Sequence, residues 1–320
     1  MITAFGLSNR GYVSNFERYF LSQTNCQKEM SFFNNCQQFL GKNWSFLVTR
    51  SESDYETKII LFDADDASGW NSDNFKLNQN NLRLLLKEFD ADDFIVFKAQ
   101  YSETHIFNRY NPLQRRTYPL GYFCDNPEEI LNFKRSNPKL PFEQRDIDFL
   151  WVGTINRDLT QDVWPADLSF DYWTPGIRWR CFDALNEIKK RRKDWNIICS
   201  SEKLNFNEYL SLLKRTKICL EWPGIGYNTR RFFENLLLEK TSLVRRNEMI
   251  LPYELKENEH FLGFSQDLND LEECMSNALF SNDNIKGIEN NISKIQDVLT
   301  YEYAANHVKS TFIKHFGREI

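Results

Sequence analysis

The chain has 320 residues, which is long for one domain and sufficient for two. Hydrophobic residues make up 41% of it and charged residues 27%, a composition typical of globular proteins rather than of disordered or fibrous chains. The net charge of −5 argues against a dedicated nucleic-acid-binding domain, because such domains usually carry a basic excess.

The cysteine pattern favours a reducing compartment, and the histidine pattern predicts no metal site. The seven cysteines are scattered and form no C-x-x-C pair, which is typical of reduced, buried thiols. The closest histidines, His307 and His315, are eight residues apart, so no metal-ligand spacing occurs. No apolar run approaches a membrane span, and the N-terminus lacks the features of a secretion signal. We therefore expect a cytoplasmic chain with no metal cofactor and no transmembrane segment, and leave peripheral membrane contact open.

The first 138 residues have the pattern of an α/β domain. Apolar runs at 43–50, 58–66 and 93–100 predict buried strands, and helical periodicity occurs at 16–23, 29–40 and 81–90. Short apolar strands that alternate with helices favour a parallel sheet. Proline and charge are concentrated at 109–119 and 134–146, which predicts an interdomain linker and a boundary near residue 138.

Residues 139–295 have a clearer β-α-β-α-β-α-β-β-α pattern, the order of a doubly wound sheet. The predicted strands are 147–154, 195–200, 218–224, 241–246 and 260–265, and the predicted helices are 177–193, 205–217, 229–240 and 267–279. The tail from 286 to 316 is predicted to be helical.

The segment "WPGIGYNTRRFFE" at 222–234 is the main candidate site, because ligands of such sheets bind at the carboxyl ends of the strands. Gly224 and Gly226 would let the backbone approach a ligand, and Asn228 or Thr229 would cap the next helix. Free N–H groups and the helix dipole would then favour a phosphate there.

Charged side chains follow in the first turns of the same helix. Arg230 and Arg231 face different sides, so we expect one of them to pair with a diphosphate, and Glu234 would accept hydrogen bonds from ribose. The segment is neither a P-loop, since G-K-[ST] is missing, nor a dinucleotide fingerprint, since the third glycine is missing. A plain glycine turn before a helix with solvated arginines remains the alternative.

The second half resembles the donor-binding half of GT-B glycosyltransferases, over about residues 147–280. The exostosin-like and spore-protein-like (CgeB-type) groups share its helix, strand, glycine loop and "R-F-F-E"-like helix start. Protein O-glucosyltransferase-like families have a similar glycine loop and remain an alternative. The matching positions are Lys217 to Leu220, Gly224, Gly226, Arg231 to Glu234, and Asp267 with Leu268, and 148–158 resembles the first strand and glycine turn.

This resemblance implies two Rossmann-like doubly wound domains that face a cleft, at 1–138 and 139–295, with a C-terminal helix at 296–320 that crosses back to the first domain. It also implies metal-independent transfer of a sugar from a nucleotide-diphosphate sugar, with a UDP-sugar as the usual donor, to a glycan or other hydroxyl acceptor. Arg230, Arg231 and the loop 224–229 would stabilise the leaving diphosphate. The other residues implied to contact the donor, phosphates or acceptor are Gly153, Thr154, Asn156, Arg157 and Tyr227.

An inverting enzyme would also need a base for the acceptor hydroxyl. Asp63, Asp65 and Asp66, which follow the strand at 58–62, are the candidates, with a plain turn or helix cap as the alternative. Two other functions stay open: a non-catalytic nucleotide- or sugar-binding module of the same fold, and a protein- or nucleic-acid-modifying sugar transferase. The negative net charge disfavours a nucleic-acid partner.

Overall fold

The chain forms two units. Unit 1 comprises Met1–Asp125, Glu248–Glu254 and Asp297–Ile320, and unit 2 comprises Asn126–Asn247 and Leu255–Gln296. The first division precedes the boundary expected near residue 138. The computed structural model describes residues 2–5, 11–24, 26–28, 44–50, 55–63, 82–99, 101, 116–121, 124, 126–155, 177–222, 229–247 and 249–319.

Helices are distributed over both units. The described helices are α1 (Gly11–Ser22), α2 (82–88), α3 (Pro127–Ser136), α4 (Ile177–Arg191), α5 (Phe206–Arg215), α6 (Arg230–Leu237), α7 (Leu271–Phe280), α8 (Asn282–Lys294) and α9 (Tyr301–Phe316), with 3₁₀ turns at Phe142–Gln144 and Gln296–Leu299. None of these helices has the length and the apolar run needed to cross a membrane.

Unit 1 contains a mixed sheet whose described strands have the order β2-β1-β3-β4-β5-β6. They are β1 (Ile2–Phe5), β2 (Cys26–Lys28), β3 (Trp44–Arg50), β4 (Thr57–Asp63), β5 (Asp93–Lys98) and β6 (Thr117–Pro119). β4, β5 and β6 are parallel, but β3 is antiparallel to both β1 and β4, so the prediction of a parallel sheet is wrong for β3. Only residues 51–56 connect β3 to β4, and a parallel crossover needs a dozen residues or more.

Helices cover both faces of this sheet. Alternate residues of β4 point to opposite faces, and all of them are buried. Phe62 contacts Phe16 and Phe20 of α1, whereas Ile59 and Leu61 pack with Leu82 and Leu85 of α2. Burial on both faces explains why β4 and β5 have continuous apolar sequences.

Unit 2 contains a parallel sheet with the order β11-β10-β9-β7-β8. Its strands are β7 (Ile147–Val152), β8 (Ile197–Ser200), β9 (Thr216–Glu221), β10 (Ser242–Arg245) and β11 (Leu262–Phe264). Counted from β7, this is the 2-1-3-4-5 order of doubly wound sheets. The predicted alternation of strands and helices in this half is confirmed.

Successive side chains of β9 reach the two layers of helices. Leu220 and Trp222 pack in a core that includes Leu185 of α4 and Met275 of α7. Glu221 faces the other way, towards Asn235 of α6. Unit 2 is therefore an α/β sandwich. The predicted α/β class is confirmed, and the sheet is compatible with a Rossmann-like fold.

A buried ion pair holds the amino-terminal edge of the same sheet. Arg145, two residues before β7, donates both terminal nitrogens to the carboxylate of Glu289 on α8, at 2.6 and 2.9 Å. Both side chains are at least 95% buried. The predicted linker at 134–146 thus contains structured residues, and α3, with Pro127 in its first turn, extends into it as far as Ser136.

Candidate functional site

The switch point of the unit 2 sheet lies between β7 and β9. From β7 the chain passes to β8 on one side and then returns to β9 on the other, so the two crossover helices start on either side of a crevice. The strand ends that border this crevice are Val152–Gly153 and Glu221–Trp222. Ligands of doubly wound sheets bind at such a point, which makes it the candidate site.

Helix α6 starts at this edge. Thr229 is its N-cap residue, as the sequence predicts for Asn228 or Thr229, but its hydroxyl does not cap the helix. Instead, Oγ1 of Thr229 donates to Oε2 of Glu221, at 2.8 Å. The first-turn N–H groups of a helix have no intrahelical acceptor, so the start of α6 favours negative charge.

Arg231 extends from α6 across the end of β7. Its Nη1 donates to the carbonyl of Val152, and its guanidinium carbon lies 5.1 Å from the centre of the Trp151 ring. Its Nε lies 3.6 Å from Oε2 of Glu221, an ion-pair distance. Arg230 is exposed, so the two arginines face different sides of α6, as predicted.

The position of Arg231 requires glycine at residue 153. A Cβ built on Gly153 would overlap Nη1 of Arg231 and would lie 3.1 Å from its Cζ. The same Cβ would lie 3.0 Å from Cζ2 of Trp151. Gly153 and Arg231 are thus brought together as predicted for the two sides of one site.

Two stacked tryptophans lie at the strand ends of the switch point, Trp151 near the end of β7 and Trp222 directly after β9. Trp151 and Trp222 stack with centroids 4.7 Å apart and an interplanar angle of 13°, and each is 1% exposed. Their indole N–H groups have no hydrogen-bond partner among the described residues. Buried indole N–H groups usually have a partner, so these donors require an explanation.

The Nη2 atom of Arg231 is a third donor of this kind. It is buried and, within the described part of the chain, has no acceptor. Since Cζ2 of Trp151 adjoins the ring carbon that carries Nε1, the N–H edge of this indole lies beside Gly153 and Arg231. Nε of Arg231 also has no hydrogen-bond partner among the described residues, so three buried N–H donors, two on Arg231 and one on Trp151, are collected at the switch point.

A second arginine reaches the site from the start of α4. Arg178 donates through Nη1 to the carbonyl of Thr154, at 3.0 Å. Its charge also acts on Glu221, where it opposes the rise in pKa. Helices α4 and α6 therefore each supply an arginine to the switch point.

Glu221 links the parts of the site. Its Oε1 accepts from Nδ2 of Asn235, at 3.2 Å, and Asn235 also donates to Ser242 on β10. Glu221 is 4% exposed, and burial raises the pKa of its carboxyl, while Arg231 and the Thr229 hydroxyl partly offset this rise.

Glu234 lies one turn after Arg230 and faces the interior. It is 8% exposed and accepts a hydrogen bond from Tyr209 of α5. Burial raises the pKa of its carboxyl to about 6, although Arg231 and Arg230 act in the opposite direction. Its predicted contact with ribose stays a prediction.

Of the predicted bases, Asp63 is described and lies at the end of β4 in unit 1. Its side chain is 1% exposed and accepts from Nζ of Lys98, the last residue of β5. This internal ion pair favours the structural alternative for Asp63, and its catalytic role stays a prediction. The predicted site residues outside the described part of the chain are Asp65, Asp66, Asn156, Arg157, Gly224, Gly226, Tyr227 and Asn228.

Trp151, Arg178 and Glu221 were not predicted as site residues, and Trp222 is the first residue of the candidate segment at 222–234 but was given no role. Arg178 could have been found, because it starts the helix after β7 much as Arg230 starts the helix after β9. The tryptophans and Glu221 gave no such indication, since they are brought together only by the pairing of β7 with β9. Among the described residues, no three His, Cys, Asp or Glu side chains are placed to hold a metal ion.

Comparison with known proteins gives no further assignment. No family model matches the chain, and a search of curated proteins finds no significantly similar sequence.

Proposed function

We propose that unit 2 binds the diphosphate of a nucleotide sugar at the switch point, and that the chain is a glycosyltransferase of the GT-B type. The donor in this proposal is a UDP-sugar, and the acceptor is a glycan or another hydroxyl compound. A GT-B enzyme has two Rossmann-like domains; unit 2 has the doubly wound sheet of such a domain, and unit 1 is an α/β unit with a mixed sheet. The resemblance at 147–280 supplies the reaction class.

One observation carries the proposal: at the end of β7, buried N–H donors that have no hydrogen-bond acceptor among the described residues are collected. They are Nε and Nη2 of Arg231 and Nε1 of Trp151. An unsatisfied buried donor costs about 1–3 kcal/mol, more if it is charged, so this arrangement suits a ligand that is rich in acceptor oxygens. A phosphate group supplies such oxygens without any donor of its own.

The proposed mechanism uses fixed positive charge at the leaving group. When the bond between the sugar and the diphosphate breaks, negative charge develops on the phosphate oxygens. Arg231, Arg178 and the start of α6 would stabilise this charge, and because Val152 and Trp151 already contact Arg231, little reorganisation would be needed. No step of this mechanism requires a metal ion.

The test is thermal stabilisation by UDP, GDP, CMP, TDP and UDP-sugars, for wild type and for Arg231→Ala. A ligand present at 100 times its Kd stabilises the native state by about 2.7 kcal/mol. We expect UDP to raise the melting temperature of wild type, and Arg231→Ala to weaken binding by about ten- to a hundredfold, as expected for a lost bond to a charged group.

Arg215→Ala is the matched control, because Arg215 is paired with Asp146 at the opposite edge of the same sheet. It should bind UDP like wild type. If no nucleotide stabilises wild type, or if both variants respond alike, the site is not a nucleotide site. If UDP binds but no UDP-sugar is hydrolysed or transferred, the chain is a binding module rather than a transferase.

A further inference from the structure

The guanidinium of Arg231 has three edges, and the protein occupies two of them. Nη1 donates to the Val152 carbonyl, and Nε lies 3.6 Å from the Glu221 carboxylate, which is an ion-pair contact without a hydrogen bond. Nη2 is the edge that remains, and it has no acceptor within the described residues. Because its Nη1 and Nε atoms are both held by contacts, the Arg231 side chain can present Nη2 in only one orientation.

Of the two residues that hold the guanidinium, Val152 and Glu221, Glu221 also fixes the start of α6. The same Oε2 that faces Arg231 accepts from the Thr229 hydroxyl at 2.8 Å, and Oε1 accepts from Asn235 at 3.2 Å. Thr229 and Arg231 lie at the N-cap and in the first turn of α6, and Asn235 lies one turn further on. One buried carboxylate therefore fixes both the arginine and the backbone donors of the helix start.

We infer that Glu221 is the positioning residue of this site: it does not contact the ligand but orients Arg231 and the first turn of α6 towards it. This inference rests on the proposed function. It adds a residue at the end of β9, on the side of the strand that faces α6, whereas Ile218 and Leu220 of the same strand pack in the core. Charge is essential to the role, because a neutral side chain could keep the Thr229 bond but not the attraction to the guanidinium.

The test compares Glu221→Gln with Glu289→Gln. The two glutamates are an unusually close match, since each is 4% exposed, lies in unit 2 and is paired with an arginine, Glu289 at the opposite edge of the sheet. We expect Glu221→Gln to raise the Kd for UDP by about tenfold, within the range of coupling between contacting residues. Glu289→Gln should leave the Kd unchanged even if it lowers the melting temperature.

A double-mutant cycle separates positioning from a general loss of structure. In an Arg231→Lys background, which retains charge but lacks the three-edged guanidinium, Glu221→Gln should have little further effect on the Kd. Full additivity of the two substitutions would overturn the inference. If Glu221→Gln does not fold, Thr229→Val is the substitute, because it removes the hydroxyl that donates to the Glu221 carboxylate. Thr229→Val should also raise the Kd for UDP.

The pH dependence of UDP binding is an independent readout. Protonation of Glu221 removes the charge that faces Nε, so the ratio of the Kd of Glu221→Gln to that of Glu289→Gln should approach one as the pH falls. A ratio that is constant with pH contradicts the inference. If wild type and Glu289→Gln bind no UDP at all, the proposed function fails instead, so the two failures are distinguishable.

Discussion

Gly153 lies where the guanidinium of Arg231 contacts the end of β7. A side chain at residue 153 would overlap this guanidinium. In Gly153→Ala the added methyl group would displace Arg231 from the Val152 carbonyl and from the Trp151 ring. We expect UDP binding to weaken by about ten- to a hundredfold, similar to Arg231→Ala. Isothermal titration with UDP measures this change.

Gly287→Ala is the control for the same chemical change. Gly287 is an exposed residue of α8, and no atom lies within 4 Å of a Cβ built on it. This substitution should stabilise the chain by about 0.5–1 kcal/mol, because glycine is unfavourable in a helix interior. It should leave UDP binding unchanged. Wild-type affinity in Gly153→Ala would show that the position of Arg231 does not matter for the ligand.

The sequence could indicate Arg231 and Gly153 because both lie in local patterns, a glycine turn after a strand and an arginine at a helix start. Trp151, Trp222 and Glu221 are different. Each of them lies in or directly after an apolar strand sequence, where tryptophan is most simply a core residue. The stacking of Trp222 on Trp151 and the approach of Glu221 to Arg231 depend on which strand pairs with β7, and one sequence does not contain that information.

At the scale of elements, the start of α5 is the best-defined helix end. Oδ1 of Asn205 accepts from the Glu208 N–H at 2.8 Å, and Oε2 of Glu208 accepts from the Asn205 N–H at 3.3 Å, which completes a capping box. Asn205→Ala should lower the free energy of unfolding by about 1 kcal/mol. Chemical denaturation monitored by circular dichroism measures it.

Ser281→Ala provides the comparison. Ser281 is the N-cap residue of α8, but its side chain makes no cap hydrogen bond. Ser281→Ala should therefore lower the free energy of unfolding by clearly less than Asn205→Ala does. Equal losses would mean that the residue types, rather than the observed hydrogen bonds, decide the stability of these helix ends.

Element boundaries in unit 2 were predictable because each strand is a short apolar run between amphipathic helices. In unit 1 the strands β1 and β2 were not predicted. Both are short, and Cys26–Lys28 has no apolar run that would mark it as a strand. Helix α3 was also missed. Its last residues lie in the segment at 134–146 that was predicted to be a linker, and its Pro127 is in the first turn, where proline is compatible with a helix.

At the scale of the whole molecule, the sequence supports an α/β class but not the arrangement of strands. The order of elements along the chain is local information. The place of β8 beside β7, which creates the switch point, and the antiparallel direction of β3 are set by long-range pairing. The same packing buries the carboxyl groups of Glu221 and Glu234. Burial of Glu234 makes the free energy of unfolding depend on pH.

Glu234 should make the stability of the chain fall as the pH rises from about 4.5 to 6. Its folded-state pKa is raised from 4.5 to about 6 by burial, so the native state binds the proton more tightly than the unfolded state does. The stabilisation is complete below the unfolded pKa and is lost as the pH passes the folded pKa. A shift of this size corresponds to at most about 2 kcal/mol at neutral pH.

Glu234→Gln keeps an acceptor for the Tyr209 hydroxyl but cannot ionise. It should therefore be more stable than wild type at pH 7, by at most about 2 kcal/mol, and similar to wild type near pH 4. Calorimetric melting between pH 4 and pH 8 measures the difference. Glu129→Gln, at an exposed position on α3, should leave the pH profile of wild type unchanged. If Glu234→Gln and wild type have parallel profiles, the carboxyl of Glu234 is ionised without penalty, and the arginines rather than burial dominate its surroundings.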